Sequence, residues 1–168
     1  MERQSKQHAG ERPLWVLKNP PHRPIPPVTS PGIGATTVQQ PATPTMKKIL
    51  IVEDQPELRL LVRTTLEDED VEIWECANAD EGWREALRLS PDLIVLDIMM
   101  PGTMDGLQLC RKLKSTAATQ RARVVLVSAR GHRNDMLIGK DAGADDYLMK
   151  PFSPARLRDV VTQLLSPA

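Results

Sequence analysis

The stretch that most constrains the fold is Pro91–Gly106, PDLIVLDIMMPGTMDG. Within it, Leu93 to Leu96 form a continuous apolar run that stops at one carboxylate, Asp97, and a turn rich in Pro and Gly follows. The run is too continuous for a half-exposed antiparallel strand, and its short length and β-branched content favour a strand over a helix. Such a strand is buried on both faces, which places it in a parallel sheet and puts Asp97 at its carboxyl end. In open α/β sheets the ligand crevice lies just outside those ends. Chemistry is therefore expected at Asp97.

The rest of the chain from Lys47 repeats the alternation of strand and helix. Lys47–Asp54 (KKILIVED) is a short apolar run ending in two acids, and Pro56 suits the first turn of a helix to about Asp68, with Leu58, Leu61, Val62 and Leu66 on one face. Val71–Ala77 reads as a second strand. Either Asn78 or Asp80 can cap the next helix, which runs to about Leu89 and packs through Trp83, Ala86, Leu87 and Leu89 before Ser90-Pro91 closes it. After the central strand, Asp105-Gly106 opens a helix to about Ser115. Ala122–Ala129 is a fourth buried run that carries Ser128 near its end, residues 132–142 form a weaker helix stopped by Gly143, and Asp146–Lys150 is a short fifth strand. Ser153 caps a last helix whose Leu157, Val160, Val161, Leu164 and Leu165 follow a helical repeat. Five βα units with right-handed crossovers give a parallel sheet covered by helices on both faces.

Residues 1–45 are of another kind. They hold nine of the fifteen prolines and few large apolar residues, so they are expected to be a disordered leader, with Pro24–Pro27 in a PxxP spacing. Met46 stands directly before the first strand pattern, which leaves open that it is the natural start. Charge follows the same division: five Lys/Arg against two Asp/Glu in 1–45, and seventeen against twenty in 46–168. A mildly acidic domain lacks the basic stripe that direct nucleic-acid binding requires. Cys76 and Cys110 belong to no CxxC and are expected to be buried, reduced thiols. No apolar run approaches the roughly 18 residues of a membrane span, so a cytoplasmic protein without membrane contact is expected.

In a parallel sheet the residues that end each apolar run share one edge. Glu53, Asp54, Asp97, Ser128 and Lys150 therefore converge. Three carboxylates at close range repel unless a cation joins them, and an all-oxygen set of this size suits Mg²⁺. A carboxylate beside Mg²⁺, with Lys and Ser to hold equatorial oxygens, is equipped to accept a phosphoryl group by in-line attack, with Asp97 as nucleophile. His8, His22 and His132 show no ligand spacing, and Met99, Met100, Met104 and Met149 are read as packing residues.

The set Glu53-Asp54, Asp97–Pro101 (D-x-x-M-P), Met104–Gly106 (MDG), Ser128–Arg130 (SAR) and Gly143–Phe152 (GADDYLMKPF) resembles the receiver domain of two-component response regulators, of the stand-alone chemotaxis-receiver kind, across 46–168. The resemblance implies a flavodoxin-like (βα)5 fold with strand order 2-1-3-4-5. It implies that Asp97 takes a phosphoryl group from a histidine kinase or a histidine phosphotransfer protein. Glu53, Asp54, Asp97 and the Met99 backbone carbonyl would hold Mg²⁺, Glu53 through water. Lys150 and Ser128 would hold the phosphoryl oxygens, Ser128 and Tyr147 would form the switch, and the Lys150-Pro151 peptide would be cis. The output would be a downstream effector protein reached through residues 132–142, 146–150 and the last helix. Dimerisation on phosphorylation is compatible with this pattern and not required by it.

Two departures from the family pattern carry expectations. One residue more than the commonest spacing lies between Pro101 and Asp105, with Gly102-Thr103 in the loop, and it should alter the loop and the start of the third helix without disturbing the site. Met99 is apolar and offers no side-chain hydrogen bond to an attacking water, so slow loss of the phosphoryl group is expected. The chain ends shortly after the last helix, which points to signalling through protein contacts and not to enzymatic output. Other readings are a receiver that mainly scaffolds, an aspartyl phosphohydrolase and a flavodoxin-like cofactor binder. The hydrolase would need a second Asp where Met99 stands. The cofactor binder would need a phosphate-cradling loop where Gln55-Pro56-Glu57 stands.

Overall fold

The computed structural model describes residues 46–68, 70–129 and 133–166, with side chains described for all of these except 133 and 134. The leader with its PxxP spacing, His8 and His22, and also Arg130 and His132, lie outside the described residues.

The strands are β1 (Lys47–Val52), β2 (Val71–Cys76), β3 (Leu93–Asp97), β4 (Arg123–Ser128) and β5 (Asp146–Met149), and the helices are α1 (Pro56–Leu66), α2 (Ala79–Leu89), α3 (Gly106–Ser115), α4 (Arg133–Asp141) and α5 (Pro154–Leu165). The sheet order is β2-β1-β3-β4-β5, all neighbours parallel. The order reverses between β1 and β3, and that is where a doubly wound sheet opens its crevice.

Period-two alternation divides the strand residues between two cores. Leu50, Val52, Ile94, Leu96, Val124 and Leu126 face α2 and α3, while Ile49, Ile51, Leu93, Val95, Val125 and Val127 face α1 and α5. Because both faces are covered, β3 is buried along its whole length. At about 25 cal/mol per Å² of apolar surface, each such Leu or Ile contributes on the order of 2 kcal/mol.

Local signals place the helix starts. Asn78 accepts from the Glu81 N–H and takes the α2 cap, with Asp80 one step inside the helix. Asp105 accepts from the Gln108 N–H while the Gln108 side chain accepts from the Asp105 N–H, a reciprocal capping box that opens α3. Ser153 caps α5 ahead of Pro154. The boundaries fall within about two residues of the sequence-based expectations, as fraying ends allow.

Some expected faces differ. Leu61 is 39% exposed and Leu58 is half-buried, while Thr65 is buried in their place, donating its hydroxyl to the Leu61 carbonyl. Leu87 is 43% exposed, and Gly82 packs inward on α2 instead, against the Val52 methyls. In both helices the outlying leucine sits on the margin of the apolar stripe. Met99 and Met149, expected to pack, are also exposed, whereas Met100 is buried and Met104 packs against the core. Trp83 is half-buried under the Lys112 ammonium, 4.3 Å from its ring centre.

Candidate functional site

β1 ends at Val52, and the Glu53 N–H makes one further ladder bond to the Cys76 carbonyl before the chain turns into α1. This leaves Glu53 and Asp54 on the carboxyl rim of the sheet. β3 ends at Asp97, which is paired in register with Val127, and the next N–H, that of Ile98, donates to the Val127 carbonyl. Carboxylate oxygens of Glu53, Asp54 and Asp97 come within 4.8 Å of one another. Lys150 follows β5, with its N–H donating to the Ser128 carbonyl. Its ammonium reaches over the rim to Glu53 Oε2 at 2.9 Å and Asp97 Oδ1 at 3.2 Å.

Both anions are buried, Glu53 3% and Asp97 2% exposed. Burial pushes the Glu53 carboxyl above its ordinary range and the Asp97 charge adds to this; the Lys150 ammonium and the Gln55 N–H pull the other way and do not cancel it. One ammonium shared by two buried carboxylates, with a third alongside, is an electron-rich site short of positive charge. The hydrogen bonds say the same. Asp97 Oδ1 also accepts from the Met99 N–H, but Asp97 Oδ2 and Asp54 Oδ1 are shielded from solvent and find no donor among the described residues. Buried carboxylate oxygens left without donors at this spacing fit a hard divalent cation, which would satisfy them together.

Ser128 closes β4, is fully buried and pairs with Met149 of β5. The sequence-predicted residues Glu53, Asp54, Asp97, Ser128 and Lys150 thus do share one edge. Tyr147 lies further along β5, in register with Leu126, and its half-buried ring lies against Gly139 of α4. The Lys150-Pro151 peptide is cis. Cys76 and Cys110 are buried free thiols, raised by burial to about 12 and about 11, too high for a reactive thiolate.

The extra loop residue has a definite place. Gly102 takes φ +136°, a conformation L side chains rarely adopt, and Thr103 donates its hydroxyl to Asp80 Oδ2 on α2 at 2.7 Å. At the far end of the loop, α3 starts against the end of β3: the Gly106 N–H donates to the Ile98 carbonyl, and a Cβ there would strike the Asp97 carbonyl oxygen. Two features escaped the sequence reading, the Asp80–Thr103 tie and Arg59, whose guanidinium lies behind the acidic residues. Charged and hydroxyl side chains on helices and loops are by default solvated, and only the fold shows what they reach. A cavity of about 590 Å³ between the ends of α1 and α5 opens at the opposite end of the sheet from this chemistry.

The fold and rim define a doubly wound α/β domain with an acidic crevice at its switch point, and the comparisons with known proteins identify its family. The family described as the response regulator receiver domain matches residues 49–162, and the chain belongs to it. The transcriptional regulatory protein ResD of Bacillus subtilis is 42% identical over 117 residues, 70% of this chain and 46% of that protein. The phosphate regulon transcriptional regulatory protein PhoB of Rhizobium meliloti is 38% identical over 120 residues, 71% of this chain and 52% of that protein. The chain thus spans about half the length of these curated relatives. Among solved structures, the beryllofluoride-activated N-terminal receiver domain of Klebsiella pneumoniae RstA aligns with TM-score 0.64 and 31% identity, covering 71% of this chain and all of that one. The chemotaxis response regulator CheY4 of Vibrio cholerae aligns with TM-score 0.67 and 27% identity, covering 72% of this chain and all of that one. Receiver domains are signalling modules of two-component systems. Among the described residues no helix is long and apolar enough to cross a membrane.

Proposed function

We propose that residues 46–168 form a phosphorylation-controlled receiver in which Asp97 accepts a phosphoryl group from a phosphohistidine on a histidine kinase or histidine phosphotransfer protein. The observation that carries this reading is the cluster of three carboxylates, two of them sharing the Lys150 ammonium, with Asp54 Oδ1 and Asp97 Oδ2 buried and without donors among the described residues. An Asp97 carboxylate oxygen attacks phosphorus in line; the P–N bond to the imidazole breaks, its electron pair stays on the ring nitrogen, and an aspartyl phosphate remains. Lys150 would leave Asp97 to bind an oxygen of the incoming group, and Ser128 would bind another. Glu53, Asp54, Asp97 and the Met99 carbonyl are assigned to Mg²⁺, which would neutralise charge on the transferred group when bound. The apolar cleft formed by Leu58, Leu61, Pro151 and Phe152 opens beside Lys150 and is assigned to the phosphodonor protein. Met99 is half-exposed with no polar side-chain atom to orient water, which supports slow loss of the phosphoryl group. We read the step as a self-catalysed acceptance in a cytoplasmic signalling domain.

The output is assigned to α4, β5 and α5. Met136, Leu137 and Met149 are exposed there, and a groove of about 570 Å³ runs between α4 and β5 along Tyr147. Drawing the Ser128 hydroxyl toward new phosphoryl oxygens would free space behind it for the Tyr147 ring, changing what a downstream effector protein meets. ResD and PhoB are named as transcriptional regulators, and what they share with this chain is about half of their length. Beryllofluoride, the group named in the RstA structure, is a direct probe. Added with Mg²⁺ to the full chain, it should give a bound ¹⁹F signal that disappears with chelator and in Asp97→Asn. A bound signal unchanged by that substitution would contradict the assignment.

A further inference from the structure

We propose that Arg59 is a positioning residue that fixes the aim of the Glu53 and Asp54 carboxylates, and that Glu75 of β2 holds Arg59 in place for that task. This rests on reading those carboxylates as cation ligands. Arg59 Nη1 donates to the Glu53 carbonyl at 2.6 Å and reaches the Asp54 carbonyl at 3.5 Å. Its Nε lies 3.4 Å from Glu75 Oε2, and the other Glu75 oxygen accepts from Arg63 Nη1, one turn further along α1, at 2.6 Å. Arg59 and Glu75 are mostly covered, with side chains 20% and 29% exposed.

The location gives the contact its meaning. The sheet ladder holds Glu53 through its N–H, the Gln55 N–H donates to Glu53 Oε1 at 3.2 Å, and the next backbone–backbone bond among the described residues is at the start of α1, where the Arg59 N–H donates to the Gln55 carbonyl. Between those points lie the two acids. Two successive carbonyls held by one guanidinium fix two successive peptide planes, and the peptide planes set the Cα–Cβ directions of Glu53 and Asp54. A planar fork can serve the carbonyls and Glu75 together, whereas a lysine ammonium is a single point on a flexible stem. Groups behind a metal site that orient its ligands typically change affinity by 10- to 100-fold when removed.

Charge alone predicts the opposite sign. Arg59 is a cation close to an acidic site, so removing it without other effect would strengthen the attraction for a divalent cation. Positioning and simple electrostatics are therefore separated by the direction of the change.

The test is a Mn²⁺ titration of the full chain at physiological ionic strength, read from the electron paramagnetic resonance signal of free Mn²⁺, with the metal-free melting temperature recorded beside it. Arg59→Gln should weaken Mn²⁺ binding about tenfold. Arg59→Lys, which keeps the charge and one donor and is the safer variant for folding, should lose less, and Glu75→Gln should weaken binding without touching any ligand. A purely structural role would lower the melting temperature and leave the affinity of the folded protein unchanged. Affinities of Arg59→Gln and Arg59→Lys within about a factor of two of wild type, or tighter, would overturn the proposal. Asp54→Asn is the separate control: if wild type binds no Mn²⁺, or binds it equally well without Asp54, the metal-site reading fails and the proposal falls with it.

Discussion

Asp145 shows how much one side chain can organise away from the acidic rim. It accepts from Lys114 Nζ at 2.6 Å, Arg123 Nη1 at 2.8 Å and the Val124 N–H at 2.8 Å, joining α3, β4 and the turn before β5. Burial alone would raise its carboxyl, but the Lys114 ammonium, the Val124 N–H and the Arg123 guanidinium outweigh burial and hold it below its ordinary 3.8. An acid whose folded value is depressed binds protons less well when folded. Its contribution is therefore complete above 3.8 and is lost as pH falls below that, through the folded value. Asp145→Asn should be less stable than wild type by about 2 kcal/mol at neutral pH in urea unfolding. The gap should close in strong acid, where wild type carries a neutral side chain too; a gap that stays constant would contradict this. At this scale the sequence was most readable where a polar residue ended an apolar run, as with Asp97, Ser128 and Lys150. Asp145 sits in a turn and Arg59 on a helix, with no such frame, and the partners of Asp145 are 21 to 31 residues away.

At the scale of elements, the junction of β3 with α3 carries the tightest constraint. A Cβ on Gly106 would lie 2.7 Å from the Ile98 Cα and would overlap the Asp97 carbonyl oxygen, and backbone cannot step aside as a side chain can. Gly106→Ala is expected to destabilise the fold by about 2 kcal/mol or more and to push α3 off β3. At Gly82 the added Cβ would meet the Val52 methyls, which can turn, so Gly82→Ala should lose less in the same unfolding measurement. An equal or smaller loss for Gly106→Ala would contradict the packing argument. All ten elements were legible from apolar period and local start signals: Asn78, Asp105 and Ser153 cap three helices, and α1 opens on Pro56 without a side-chain cap. The exposure of Leu61 and Leu87 was not, since the margin of an apolar stripe is settled by how the helix is tilted on the sheet. The Gly102-Thr103 loop was legible as an insertion, but its tie to Asp80 spans 23 residues and needs the fold.

For the whole molecule, right-handed crossovers led to a parallel sheet covered on both faces, and the strand order was what the family resemblance implied. Surface was harder to read. Met99 and Met149 expose apolar side chains next to the rim, and a methionine in a sequence gives no sign of which side it takes. The proposed route from rim to output runs through β5, with Lys150 at its end and Tyr147 within it. Tyr147 is the only tyrosine, so 3-fluorotyrosine gives a one-signal spectrum. An acyl-phosphate donor with Mg²⁺ should shift that signal, and Ser128→Ala should weaken the response. A signal that ignores phosphorylation of the rim would break the link between site and groove.

The most direct measurement is intact mass of the full chain after incubation with Mg²⁺ and a small acyl-phosphate donor, beside Asp97→Asn and a chelated sample. The expected result is a gain of one phosphoryl group in wild type alone, with slow loss once donor is removed. Equal gain in Asp97→Asn, or no gain in a folded chain that binds the metal, would contradict Asp97 as the acceptor.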